Sequence, residues 1–170
     1  PGRGTGRGSR RASARRRDGR FAGRGLGYSK PRMKILVLAS EPISAEQLRS
    51  ALGGNVDPSL KDTEIRIVAP ALHASAFAFW LSDADEAIAE AEAVWRASVV
   101  KLGAAGVDAG GDTGESDPIR AIEDTLASFD ADRIVLFTHP ESEHRYREDL
   151  DAGELEERFG RPVDQVESPR

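Results

Sequence analysis

Three pairs of residues hold most of the chemistry in this 170-residue chain: Ser40 and Glu41, Asp112 and Thr113, and Thr138 and His139. Each pair follows a run of apolar or small residues that reads as a β-strand. His73, His144 and Arg145 lie in nearby connecting segments. Hydroxyls, carboxylates and an imidazole gathered at strand ends make a small polar pocket, and Arg145 with a histidine would suit an anion. His139 has the chemistry of a general base, but no nucleophile partner is identifiable. A metal would need His139, His144 and one of Glu41, Asp112 or Glu141. His-x4-His shares a face only on a helix, Pro140 opposes a helix there, and the spacing matches no known metal site. The plain alternative is a set of ordinary solvated loops at strand ends.

The elements that would carry these residues alternate regularly. Lys34-Ile35-Leu36-Val37-Leu38-Ala39 is a continuous apolar run, as in a strand covered on both faces. Ser44 and Gln47 have capping-box spacing, Leu48 and Leu52 follow on one helical face, and Gly53-Gly54 stops that helix. Glu64 to Ala69 is a second strand, ended by Pro70. Ser82 and Asp85 again have capping spacing. The stripe Ile88, Ala91, Trp95, Val99 and Leu102 predicts a long helix closed by Gly106. Val107 to Gly111 reads as a weak, short strand. Asp117-Pro118 is a strong helix start, and Ile119, Ile122, Leu126 and Phe129 follow at helical spacing. Arg133 to Thr138 is the next strand. Leu150, Leu155 and Phe159 mark a last helix ended by Gly160, and Pro162 to Val166 is a poor edge strand. Five strands alternating with four helices predict a doubly wound parallel sheet, a Rossmann-like α/β/α sandwich with helices on both faces. Pro70 to Leu81 is too apolar for a free loop. It is expected to pack as a helical turn on the sheet edge, with a lid or partner-binding surface as the alternative.

Composition bounds the remainder. The chain has no cysteine, so disulfides and thiolate metal sites are excluded. No apolar run approaches the roughly 18 residues that span a bilayer, and no apolar segment follows the basic start as a signal peptide requires. Residues 1–32 carry ten Arg, Lys30 and eight Gly against one acid, Asp18. That segment is net +10, so with −5 overall the remainder is net −15. The segment lacks the apolar surface to offset its backbone entropy and is expected to be disordered. Met33 is the only Met and opens the first strand, so it is expected to be the true initiator, with residues 1–32 translated upstream sequence. The alternatives are an arginine-rich arm for nucleic acid and a targeting presequence. The acidic body repels nucleic acid and anionic membrane.

From Met33 to Glu167 the chain resembles the universal stress protein family. The resemblance rests on the Lys34–Leu38 strand and on Asp117-Pro118 with Ala121-Ile122. It rests further on Ala131-Asp132-Arg133-Ile134-Val135 leading into Thr138-His139, and on Pro162-Val163. The Ala-Asp-x-Ile-Val step is the most specific of these. The resemblance implies a five-stranded, commonly dimeric domain in the adenine nucleotide alpha hydrolase-like fold class. In nucleotide-binding members it implies ATP across the carboxyl ends of the first and fourth strands. Those members carry an Asp at the end of the first strand and a glycine-rich phosphate loop after the fourth. Here the first position reads Ala39-Ser40-Glu41-Pro42 and the second reads His139 to Asp149 without a glycine. Pro140 lacks an amide donor, and Glu141 and Glu143 would repel a triphosphate.

The expectation is therefore a cytoplasmic, homodimeric, stress-linked regulatory or binding domain without a cofactor, tuned by a small ligand. A weakly hydrolytic ATP-binding member is the first alternative, with Ser40, Val68, Thr138 and His139 around the adenosine end and Arg145 nearby. A nucleic-acid-associated protein acting through residues 1–32 is the second. A flavodoxin-like or response-regulator architecture is the runner-up fold. The first would need a Ser/Thr/Gly phosphate loop where Ser40 to Ser44 has no glycine, and the second an acidic cluster of which Asp112 is the only hint.

Overall fold

The computed structural model describes residues 32–72, 84–139 and 150–167. The basic segment 1–31, Ser82 as a helix cap, most of the apolar stretch 70–81, and residues 140–149 lie outside the described residues. So do His73, Glu141, His144 and Arg145.

Among the described residues, five strands alternate with four helices. They are β1 (Met33–Ala39), α1 (Ala45–Leu52), β2 (Thr63–Pro70), α2 (Ala84–Ala104), β3 (Asp108–Gly114), α3 (Pro118–Ser128), β4 (Arg133–Thr138), α4 (Ala152–Phe159) and β5 (Val163–Glu167). The sheet order is β3-β2-β1-β4-β5, and every adjacent pair is parallel.

The order explains the layers. From β1 the chain steps outward through β2 to β3, then crosses to β4 and steps outward to β5 on the other side. Right-handed crossovers in opposite directions along one sheet place their helices on opposite faces. One face accordingly packs α1 and α2 residues such as Leu48, Leu52 and Leu102 on Ile35, Val37, Ile67, Val135 and Phe137. The other packs Ala121 and Ile122 of α3 and Leu155 of α4 on Leu36, Leu38, Ile134 and Leu136. Ile35, Leu36 and Val37 of β1 are completely buried, as its unbroken apolar run predicts for a central strand.

Local chemistry sets the helix ends. Ser44 and Gln47 form the capping box of α1, and Gly53 terminates it at φ 56°. Asp117 accepts from the backbone N–H groups of Ile119 and Arg120 at the start of α3. Asp151 caps α4, and Gly160 ends it in the left-handed region at φ 64°.

Three details differ from expectation. β3 runs to Gly114, three residues beyond the reading. Pairing with β2, whose Pro70 stays in the strand opposite Gly114, holds a segment whose own propensity is poor. The buried stripe of α2 is rotated: Ala87, Ala91, Ser98 and Leu102 face inward, while Ile88 is 47% exposed. Small side chains on the inner face let the helix approach the sheet, and they outweigh the hydrophobicity of Ile88. Leu150 precedes the last helix, which begins after the Asp151 cap.

Candidate functional site at the strand fork

β1 and β4 are sheet neighbours whose following helices lie on opposite faces. Their carboxyl ends therefore diverge, and the crevice beyond them is where open α/β sheets bind ligands. Pairing runs up to Ala39 opposite Phe137, and the Ser40 backbone N–H reaches the Phe137 carbonyl at 3.4 Å. That fixes Ser40 and Glu41 beside Thr138 and His139, which places four of the predicted site residues together.

The loop after β1 is held from the helix layer. The Ser98 hydroxyl of α2 accepts from the buried Ile43 N–H at 3.0 Å and donates to the Val94 carbonyl at 2.8 Å. Lys101 Nζ donates to the Pro42 carbonyl at 3.4 Å. Within this frame, Glu41 Oε1 stands 3.4 Å from His139 Nε2. The imidazole is nearly buried and the carboxylate is about half exposed. A carboxylate facing one ring nitrogen restrains the orientation of the imidazole. Thr138 is 2% exposed, and its Oγ1 has no hydrogen-bond partner among the described residues. Strand alternation puts Thr138 on the same face as Ile134 and Leu136.

A hollow of about 260 Å³ opens beside the fork, between the ends of β1 and β2 and the first half of α2. Ala39, Ala69, Leu72, Ala87, Ala91 and Val94 contribute most of its wall. Among the described residues, its polar lining comes from Ser40, Glu41 and Glu90. Glu90 and the α2 face were not legible as site residues, because a glutamate on an alanine-rich helix reads as solvated surface. The one available signal was the small pair Ala87 and Ala91, four residues apart.

The remaining predicted residues fall elsewhere. Asp112 and Thr113 lie on β3, separated from β1 by β2. They line a second hollow of about 230 Å³ against α3, together with Arg66, Val68, Asp124 and Thr125. Thr113 Oγ1 accepts from Trp95 Nε1 at 3.2 Å, and its backbone N–H donates to Asp112 Oδ1 at 2.8 Å. Val68 packs with the α3 side of the core and does not line the hollow beside the fork. Among the described residues no group of three His, Asp or Glu could hold a metal ion. No helix among them is long and apolar enough to cross a membrane.

No protein-family model matches the chain, and no curated protein matches it either. Solved structures do. A universal stress protein family protein from Arabidopsis thaliana, with AMP bound, superposes at TM-score 0.54 and 15% identity, covering 81% of this chain and 92% of that one. A universal stress protein from Archaeoglobus fulgidus gives TM-score 0.52 and 17% identity over 79% and 93% of the two chains. A protein of the same family from Burkholderia pseudomallei gives 0.50 and 16% over 78% and 94%. The five-stranded parallel sheet with two helices on each face, seen among the described residues, is thus the fold of these universal stress proteins.

Proposed function

We propose that this chain is a stress-associated regulatory or binding domain of the universal stress protein type that does not seat ATP on a glycine loop. One observation carries this: the fork between β1 and β4 presents the Glu41 carboxylate against His139, and no Lys or Arg lines the adjoining hollow among the described residues. Nucleotide phosphates need amide donors, cations or a bound metal, and a carboxylate at their seat opposes them electrostatically. The sequence after His139 adds Pro140, which has no N–H, and two further glutamates. The domain would act by association, as a homodimer in the cytoplasm, with a small ligand tuning the association and no catalysis of its own.

Isothermal titration of the full chain with ATP and with AMP, magnesium present, tests this. No saturable binding below millimolar concentration is expected, and micromolar binding would overturn the proposal. Native mass spectrometry at graded concentrations reports the subunit count, and a monomer throughout would remove the homodimer.

Nucleotide binding through a non-standard loop is the alternative, favoured by the AMP in the Arabidopsis neighbour. It draws support from Ser40, Thr138 and His139 standing together. Val68 gives it none, because that side chain belongs to the opposite face of the sheet.

A further inference from the structure

We infer that the outer face of α2 is the interface with a second copy of this chain, the two helices packing antiparallel with Ala93 of one against Ala97 of the other. This rests on the homodimer of the proposed function and names the surface that builds it.

The inner side of α2 is set by Ala87, Ala91, Ser98 and Leu102, which are buried. Helical geometry brings Ala89, Ala93, Ala97, Val100 and Ala104 to the opposite side, away from the sheet. Ala89, Ala93 and Ala104 are exposed, Ala97 is half-buried, and Val100 is 71% exposed. The outermost strip of a helix that covers a sheet ordinarily carries charged and polar side chains. Helix propensity accounts for the alanines. It does not account for Val100, which is β-branched, less favourable in a helix than alanine, and left in water by the single chain. A covering helix accounts for both, because small side chains let two helix axes approach to about 8 Å and valine fills the space beside them.

Charge selects a second copy as the occupant. The first nine residues of α2 carry four acids and no base, and the last twelve carry two bases and no acid. An antiparallel copy sets each half against its opposite, whereas a parallel copy sets like against like. Glu92 and Arg96 already pair within the helix. Glu86 has no ion pair among the described residues, and Lys101 reaches a neutral group, the Pro42 carbonyl, at 3.4 Å. With Ala93 against Ala97, Glu86 falls near Lys101 of the second copy, and the two-fold axis repeats that pairing at the other end. At 21 residues α2 is roughly 30 Å long, so one helix pair buries less than a standard interface and the dimer should dissociate on dilution.

Sedimentation equilibrium of the full chain at graded concentrations measures the association. Ala93→Lys puts an unpartnered charge into the contact and should weaken dimerisation by about tenfold or more. Ala127→Lys, on the exposed side of α3, should leave it unchanged. Both positions are exposed, so both variants are expected to fold, which thermal melting verifies. Glu86→Lys and Lys101→Glu should each weaken the dimer by about three- to tenfold, as for two exposed ion pairs lost per dimer, and the double variant should restore it. The chain has no cysteine, so single-cysteine variants report the geometry. Ala93→Cys mixed with Ala97→Cys should cross-link under mild oxidation, and more than either variant alone. A dimer that Ala93→Lys leaves intact, a double charge variant no better than the single ones, or cross-linking of each cysteine variant only to itself would each overturn the inference while the homodimer stands. A monomer at every concentration overturns the homodimer and the inference together.

Discussion

Lys34 and Asp132 clasp the start of β1 to the turn before β4. The Lys34 backbone N–H donates to the Asp132 carboxylate at 2.8 Å, and the Asp132 backbone N–H donates to the Lys34 carbonyl at 2.7 Å. Asp132 is the acid of the Ala-Asp-x-Ile-Val step, so that motif has a structural cause in this chain. It locks the register of the two central strands whose far ends form the fork. Asp132→Ala should cost about 1 kcal/mol, a shift of roughly 2–4 °C in melting temperature for a chain of this size. Asp132→Asn keeps an acceptor oxygen and should recover most of that. Thermal unfolding by circular dichroism compares the two, and an unchanged Asp132→Ala would show the clasp to be energetically idle.

Gly111 and Gly110 are neighbours on β3 with opposite tolerances. A Cβ at Gly111 would meet Trp95 Cε3 at 2.9 Å and the Ile67 carbonyl oxygen at 3.2 Å. The backbone oxygen cannot yield, and Trp95 is held by its bond to Thr113. A Cβ at Gly110 meets only Arg66 Nε, at 3.9 Å. Gly111→Ala should therefore destabilise by about 1–3 kcal/mol through overpacking. Gly110→Ala should be neutral, or stabilising by up to about 1 kcal/mol, since alanine loses less entropy in a strand. Urea unfolding of both variants reads the contrast. Equal effects would mean that Trp95 does not lie over β3 in solution.

How much of this was legible in the sequence follows from where the forces act. β1 and β4 were readable because a strand buried on both faces is apolar at every position. The caps Ser44, Asp117 and Asp151 were accessible because capping is local, although Asp151 was passed over in favour of Leu150. β3 was read too short because Gly110, Gly111 and Gly114 have little strand propensity of their own. Gly111 and Gly114 are required there by Trp95, Val68 and Ala121, which approach from other elements. The fork pairs Ser40–Glu41 and Thr138–His139 were found from the rule for parallel sheets. Asp112 and Thr113 were grouped with them because strand order, which puts β2 between, is not written locally. Glu90 was missed for the same reason: only the packing of α2 against the end of β2 makes it a wall residue.

Ser98 connects the core of α2 to the geometry of the site. Its hydroxyl is the partner of the buried Ile43 N–H and is itself fully buried. Ser98→Ala leaves that N–H unsatisfied, which should cost about 1–3 kcal/mol. The loop carrying Glu41 would also lose an anchor. Hydrogen exchange at the Ile43 amide measures the local effect. Protection equal to wild type would show that the N–H has found another acceptor.

Thr138 presents the reverse case. Its hydroxyl is buried at the end of β4 without a partner among the described residues, and desolvating such a group costs about 1–3 kcal/mol. Valine has the same branched shape and the same strand preference, and it carries no polar atom. Thr138→Val should therefore raise the stability of the ligand-free chain by about 1 kcal/mol, measured as a higher denaturant midpoint with an unchanged slope. A residue that gives up stability beside a crevice is consistent with service to a ligand. The same variant should then weaken any ligand that hydrogen-bonds at the fork. A loss of stability in Thr138→Val would mean that the hydroxyl is satisfied in solution, and the fork would lose the one orphaned group that it shows among the described residues.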